Sequence, residues 1–416
     1  MSRTTDILLR TGAGFAALLW ASGAAAQAAP EASGPTLAEA VAAGKPILEI
    51  RPRFEDVHQT GFTRDATAYT VRTHVGWQTG AWHGVTGLIE FSNVQGIGAE
   101  RYNTTVNGKT KFPVIGDPDQ SRINRAQLAW TATDWLTVTV GRQRILLDDQ
   151  RFVGNAGWRQ NEQVFDAAKA DFSYGQWKAG YTYIQQVNRV FGDTLNWKGN
   201  VHLLTASYTV AEPLKLQAFD YLLDFTTNTA AAKAASTATV GGKLSGKAWV
   251  SLYQLAYDAT FAQERNYGRN PAHYRLDYYE GDLAATYDIY TVKAMYESLQ
   301  GDGVRGFSTP LATLHAFQGW ADVFLTTPTK GIKDANIAFS FKPRFKLPYL
   351  FNTEFFVRYH DFRFEKDDKS LGHEWNLQAT GQITPKISAL VKYADYTGVT
   401  GFASRDKVWV GFEYKF

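Results

Sequence analysis

The chain ends on Val408-Trp409-Val410-Gly411-Phe412-Glu413-Tyr414-Lys415-Phe416. Side chains alternate across a strand, so Val408, Val410, Phe412, Tyr414 and Phe416 share one face. Lys407, Trp409, Gly411, Glu413 and Lys415 share the other. A strand that is apolar outside, mixed polar inside and closed by a terminal Phe reads as the last strand of an outer-membrane β-barrel. The competing reading is an amphipathic strand of a soluble β-sandwich.

The other end of the chain favours the barrel. Arg3 and Arg10 flank a short polar start, and an apolar stretch follows from Ala13 to Ala21. Ala24-Ala25-Ala26 supplies a small-residue cleavage site before Gln27. This is the pattern of a secretory signal peptide, too short to span as a helix. We therefore expect a cleaved leader at 1–26, a periplasmic lead-in at 27–44 and a barrel over 45–416. No later segment holds 18 consecutive apolar residues, which excludes spanning helices. Cysteine is absent and aromatics make up 14% of the chain. A closed hydrogen-bond ladder needs no disulfides, and Tyr and Trp suit two interfacial girdles. The net charge of +3 points to no partner.

Period-two alternation recurs along the chain. Tyr69, Val71, Thr73 and Val75 alternate with Arg72 and His74; Phe355, Val357 and Tyr359 oppose Glu354, Arg358 and His360. Short connections, such as Gly175-Gln176, Asp288-Ile289 and Thr384-Pro385, alternate with long ones near 95–120, 147–162 and 300–333. Short periplasmic turns and long extracellular loops are the bacterial barrel pattern. Counting strands gives about 18, all antiparallel, in an all-β transmembrane barrel. The indistinct turn between 236–245 and 249–263 leaves 16 or 20 open. An even number puts both chain ends on the periplasmic side, and such a barrel keeps an aqueous lumen. The Ala/Thr/Gly-rich stretch Thr226–Gly242 reads as a mobile loop.

The densest polar segment runs from Gly141 to Gln163: GRQ at 141–143, then DDQRFVGNAGWRQNEQ at 148–163, with FDA following at 165–167. Together with Leu314–Pro328 (LHAFQGWADVFLTTP), it resembles the alginate export family of outer-membrane porins. That resemblance implies an 18-stranded monomeric barrel whose arginine-lined constriction passes a polyuronate. The chemistry agrees. A polyuronate carries one carboxylate per sugar, and guanidinium offers it a planar, permanently charged fork. A ring of such groups attracts anions into a pore.

Candidate pore-lining residues are Arg51, Arg53, Arg72, Arg125, Arg142, Arg144, Arg151, Arg159, Lys169, Lys293, Arg358 and Lys392. Asp148, Asp149, Asp171, Glu297 and Glu354 are the acids expected to hold them. Strict alternation puts Arg142 and Arg144 on the lipid face with Val138 and Val140. A lipid-facing Arg at the midplane costs roughly 2–4 kcal/mol, so a bulge near Gly141 or a strand end is expected to turn both inward.

The loops at 95–120 and 300–333 are expected to act as lids. The first carries Arg101, Lys109, Lys111 and Arg122. The second carries His315, Phe317, Trp320 and Phe324, too apolar for a solvated loop.

No G-x-S-x-G elbow or H-E-x-x-H pair is present, so neither a hydrolase nor a zinc protease is indicated. Gly301–Gly306 opens no helix and reads as a loop, not a phosphate cradle. The paired acids Asp148-Asp149, Asp367-Asp368 and Asp117/Asp119 read as solvated turn acids rather than Ca²⁺ ligands. The expectation is a non-enzymatic, cofactor-free and metal-free channel in the outer membrane of a Gram-negative bacterium. Its partners are outer-membrane lipid, an anionic saccharide and, through the C-terminal strand, the outer-membrane assembly machinery; nucleic acid is not among them. The rival readings are a general or differently selective porin, and an outer-membrane enzyme or structural barrel. The sequence sets no direction of transport.

Overall fold

The computed structural model describes residues 34–344, 347–399 and 401–416. The segment read as a signal peptide lies outside the described residues. A short helix, α1 (Leu37–Ala42), comes first; Thr36 caps it through a reciprocal capping box with Glu39. The Trp77 indole N–H donates to Val41 O at 3.0 Å and ties α1 to the barrel.

Eighteen strands follow. They are β1 (Lys45–Gln59), β2 (Ala66–Gln78), β3 (Val85–Gly96), β4 (Gln120–Thr133), β5 (Leu136–Gln143), β6 (Val164–Tyr174), β7 (Trp177–Asn188), β8 (Trp197–Ala211) and β9 (Leu214–Phe225). Then come β10 (Thr237–Val250), β11 (Tyr253–Asn266), β12 (Arg275–Tyr287), β13 (Tyr290–Leu299), β14 (Ile332–Phe341), β15 (Phe351–Arg363), β16 (Ser370–Thr384), β17 (Ile387–Gly398) and β18 (Arg405–Lys415). Each pairs antiparallel with its sequence neighbours, and β18 pairs back on β1 from Gln59↔Arg405 to Glu49↔Lys415. Closure leaves no free edge, so every wall ladder is satisfied within the sheet. Short turns gather at one rim; Gly175 (φ +57) makes one of them possible.

Thr226–Gly242 is a correction. Ala230–Ala234 form a helix, α2, capped by Thr229, and residues 237–242 open β10. The small residues there answer a packing demand: a Cβ on Gly241 would lie 2.3 Å from the Phe219 ring. Part of the composition that suggested a mobile loop is a helix, and Gly241 is the footprint of an aromatic neighbour on the preceding strand.

The alternation sorts side chains as expected on most strands. Leu128, Ile337 and Val391 stand exposed on the outer face, while Glu90, Lys392 and Lys407 are buried inside. One sector departs from polar-inside. On β9 the inner-face residues Phe219, Tyr221, Leu223 and Phe225 are all buried. They pack with Tyr278 of β12 against residues of the long loops. An 18-stranded lumen is too wide for wall side chains to fill; here loops fill it and need an apolar seat.

A prediction follows from this sorting. Val391→Arg, on the lipid face near the middle of β17, should destabilise the barrel by about 2–4 kcal/mol, measured by equilibrium unfolding in lipid vesicles. An unchanged stability would mean that this face does not meet hydrocarbon.

Candidate functional site

Two long loops meet inside the barrel. The first joins β5 to β6 over residues 144–163. At its base Arg144 holds Glu162, with 2.8 Å from its terminal nitrogen, and lies 3.5 Å from Glu90 on β3. The loop then crosses to the far wall. Phe152 packs on Phe219, Tyr221 and Tyr278, with ring centroids 5.0–6.0 Å away. Beside it Arg151 donates to Glu297 of β13 at 2.5 Å. The loop returns to the first wall through Trp158, whose carbonyl accepts from Arg53 at 2.7 Å. Arg51 donates to the carbonyls of Gly157 and Arg159 and to Gln160 Oε1.

The second loop joins β13 to β14 and lies alongside the first. Val153 and Leu311 form a parallel bridge, and Gln163 donates to the carbonyls of Gly154 and Leu311. Near its middle Asp322 accepts from Arg159 (3.0 Å), Lys407 (2.8 Å) and His315 Nδ1 (2.8 Å). The other ring nitrogen of His315 accepts from Lys392 Nζ at 2.7 Å. Trp158 stacks on His315 at 4.6 Å, with the rings 3° from parallel. Lys392 Nζ also sits 3.5 Å from the Trp320 ring centroid and 4.1 Å from that of Trp158. Close approach fixes Gly319 (φ +81): a Cβ there would lie 2.2 Å from a Glu374 oxygen.

The 97–119 loop packs Tyr102 and Ile115 against Val57, Ala66 and Ala68, and Asp117 binds both Arg53 (3.1 Å) and the Gln160 N–H (2.8 Å). Both loops expected to be lids therefore fold against the inner wall.

Three loop groups show the electrostatics. Burial raises the Glu162 carboxyl, but Arg144 and Arg72 outweigh it and bring the pKa to about 2. Burial likewise raises Asp322, yet Lys407, His315 and Arg159 hold it well below the usual carboxylate range. Burial and then Lys392 push the His315 imidazole well below its ordinary range. It is neutral, consistent with one donated and one accepted bond.

The candidate cations divide. Arg53 pairs with Asp117; Arg72 with Glu49 and Glu413; Arg125 with Glu90; Arg144 with Glu162; Arg151 with Glu297; Arg159 with Asp322; Lys169 with Asp171; Lys293 with Asp282. Among the described residues Arg51, Arg358 and Lys392 have no carboxylate within 4 Å.

Arg142 is a correction. The register stays continuous through Gly141, so Arg142 keeps the outward face of Val140 and pairs with Asp166 at 2.6 Å. No bulge turns it inward. It stands one residue from the end of β5, and the adjacent Asp166 carboxylate pairs its charge. β5 ends at Gln143, and that end alone brings Arg144 inside. Asp148 and Asp149 hold Lys243, at 2.6 and 3.1 Å, rather than arginines. Glu354 lies beside Lys342 at 3.7 Å and holds no arginine.

The sequence reading missed Glu162, Asp322, Trp158 and Arg189 as site residues, although the first three stand inside the two quoted segments.

Trp158 lies between two cavities. Toward the short-turn rim is a chamber of about 400 Å³, lined by Arg51, Arg53, Gln382, Ser388 and Glu413. Toward the long-loop rim is one of 90 Å³, lined by Arg159, Arg189, Phe191 and His315. A closed barrel with lipid-facing apolar bands and charged cavities on either side of an inward loop is an outer-membrane channel, not an enzyme. A family model described as alginate export matches residues 50–268. The chain belongs to the alginate export family.

That match includes the 141–163 segment; Leu314–Pro328 falls beyond it. Comparison with curated proteins finds no match. Among solved structures, Acinetobacter baumannii OccAB2 is similar with a TM-score of 0.70 and 12% identity, over 91% of this chain and 99% of that one. Pseudomonas aeruginosa OpdO gives 0.68 and 12%, over 91% and 98%. Pseudomonas aeruginosa OpdK with vanillate gives 0.67 and 10%, over 90% and 99%. At such identity the likeness is one of fold.

The Glu162 pairing sets a pH dependence. A carboxyl lowered from 4.5 to about 2 stabilises the loop fully above 4.5, and loses that contribution as pH falls toward 2. Acidification over this window should increase current flicker in planar bilayers. Glu162→Gln should flicker already at neutral pH. Identical traces for both proteins at both pH values would remove Glu162 from the loop's anchorage.

Proposed function

We propose that the chain passes an anionic saccharide of the uronate type, and that the path runs past Trp158. The observation that carries this reading is the pair of cavities on either side of Trp158, each with a guanidinium that has no carboxylate partner among the described residues. Arg189 serves the outer cavity and Arg51 the inner chamber. Arg189 is held instead by the faces of Trp197 (4.0 Å) and Phe191 (5.2 Å), which orient the charge without neutralising it. Arg358 adds a further guanidinium with no carboxylate in salt-bridge contact among the described residues. A carboxylate entering the lumen meets these groups in series. Indole and phenyl rings beside them offer faces on which sugar rings stack.

The second reading is a porin for small carboxylates, and a specific observation favours it: loops occupy much of the lumen, leaving a chamber of single-molecule size. The OpdK structure with vanillate shows a related barrel in company with a small aromatic acid. A polymer threaded end-on and a small acid taken whole use the same cations, so the two readings differ in chain length accepted.

Reversal potentials under a salt gradient test the anion preference. The wild type should favour anions; Arg51→Gln and Arg189→Gln should each shift selectivity toward cations, more at low salt where screening is weak. Arg144→Ala should shift it too, whereas Arg142→Ala, on the outer wall, should not. A cation-selective wild type refutes the proposal. Trp158→Ala should raise conductance and weaken block by uronate oligomers. Block by monomeric uronate alone would decide for the small-acid reading.

A further inference from the structure

On the outer wall, β11 and β12 carry a ladder of cross-strand pairs leading to the long-loop rim. Phe261 faces Tyr279, then Gln263 faces Asp277, then Arg265 faces Arg275. The first pair is exposed and packs ring on ring at 5.2 Å. In the second, Gln263 donates to Asp277 at 2.8 Å, and Tyr279 OH also reaches Asp277 at 3.4 Å. The residues between them, Ala262, Glu264, Leu276 and Tyr278, are buried on the inner face, which fixes the outward aim of both arginines.

Residues directly opposed across an antiparallel pair have Cβ atoms about 4.5–5.5 Å apart, and like charges there are destabilising. Arg265 and Arg275 are both exposed, and among the described residues neither has a carboxylate within 4 Å. The nearest acid on the ladder, Asp277, is already engaged by Gln263 and Tyr279. Other cations of this rim are handled differently: Arg142 pairs with Asp166, Arg269 with Asp224, Lys333 with Asp368 and Arg363 with Asp361. Among the described residues the Arg265–Arg275 pair stands out as two opposed guanidinium groups with no carboxylate in salt-bridge contact.

Its place in the membrane says what supplies that charge. The pair stands at the strand ends, on the order of 13 Å along the strand from the Phe261–Tyr279 rings. Aromatic rings mark the interface between hydrocarbon and headgroups, so the arginines sit at headgroup height on the lipid side of the wall. We propose that Arg265 and Arg275 together bind a phosphate of an outer-leaflet lipid headgroup. Two planar forks converging on one tetrahedral dianion satisfy the guanidinium donors and turn a repulsive pair into a bidentate clamp. The hydrogen-bonded Gln263–Asp277 step spaces the clamp from the hydrocarbon, while Phe261 and Tyr279 pack on the acyl chains below.

The test uses the full barrel in phosphatidylcholine nanodiscs, with or without a minor fraction of diphosphoryl lipid A. The wild type should unfold at a higher temperature with lipid A. Arg265→Gln/Arg275→Gln should lose most of that gain, with apparent affinity weaker by about tenfold or more. Conductance, which involves neither residue, checks that the variant is folded. Arg363→Gln, a rim cation that has an acidic partner, should keep the wild-type gain. Lipid A stripped of its phosphates should give no gain, and nor should inorganic phosphate added to plain nanodiscs. Equal stabilisation of wild type and double variant overturns the proposal. So does a full effect from dephosphorylated lipid, or from inorganic phosphate alone.

Discussion

The interior depends on one carboxylate. Asp322 lies buried on a loop and receives Arg159 from the other loop, Lys407 from β18 and His315 from its own loop. Removing an isolated charge from water costs several kcal/mol, and only excellent geometry with further hydrogen bonds offsets that cost. Asp322 has both. Taking away either cation would leave the other charges buried and unbalanced, which is why the two loops and the β17–β18 wall behave as one assembly. Lys392 belongs to the same assembly without touching an acid: two indole faces and a neutral imidazole nitrogen take the place of a counter-ion.

Compensation elsewhere changes what an arginine-rich lumen means. Arg72, Arg125 and Arg144 converge on Glu49, Glu90, Glu162 and Glu413, so this cluster anchors a loop and offers a passing anion little net field. Under the proposed function, the field that an anion would meet comes from the few cations held by carbonyls or aromatic faces. Counting basic residues on inward phases overstates the positive potential. Asking what holds each of them gives a better guide to where the charge is available.

Much of the wall was legible because barrel strands obey two local rules. Side chains alternate, and turns are short at one rim; those rules gave eighteen strands, the closing role of β18 and most inward positions. The rules fail where a third dimension enters. β9 is apolar on its inner face because loops sit there, and Gly241 of β10 answers Phe219; neither fact has a local signature. Pairing partners such as Asp322 with Lys407, 85 residues apart, leave no trace in spacing. Arg142 misled for a different reason. Its cost as a lipid-facing charge was judged for a lone guanidinium, whereas β5 is only eight residues long and its last outward residue is paired with Asp166 on the neighbouring strand.

Wall and loops thus carry separable information. Barrels with about one residue in eight in common superpose over nine-tenths of this chain, because closure, alternation and strand number tolerate almost any side chain of the right polarity. What those side chains do not fix is the interior. Two loops of twenty and thirty-two residues, 144–163 and 300–331, set the size of both cavities, choose which cations stay uncompensated and place Trp158 between them. Under the proposed function, selectivity would therefore follow from how the loops are tethered. The residues that decide it are the tethers as much as the groups facing the path.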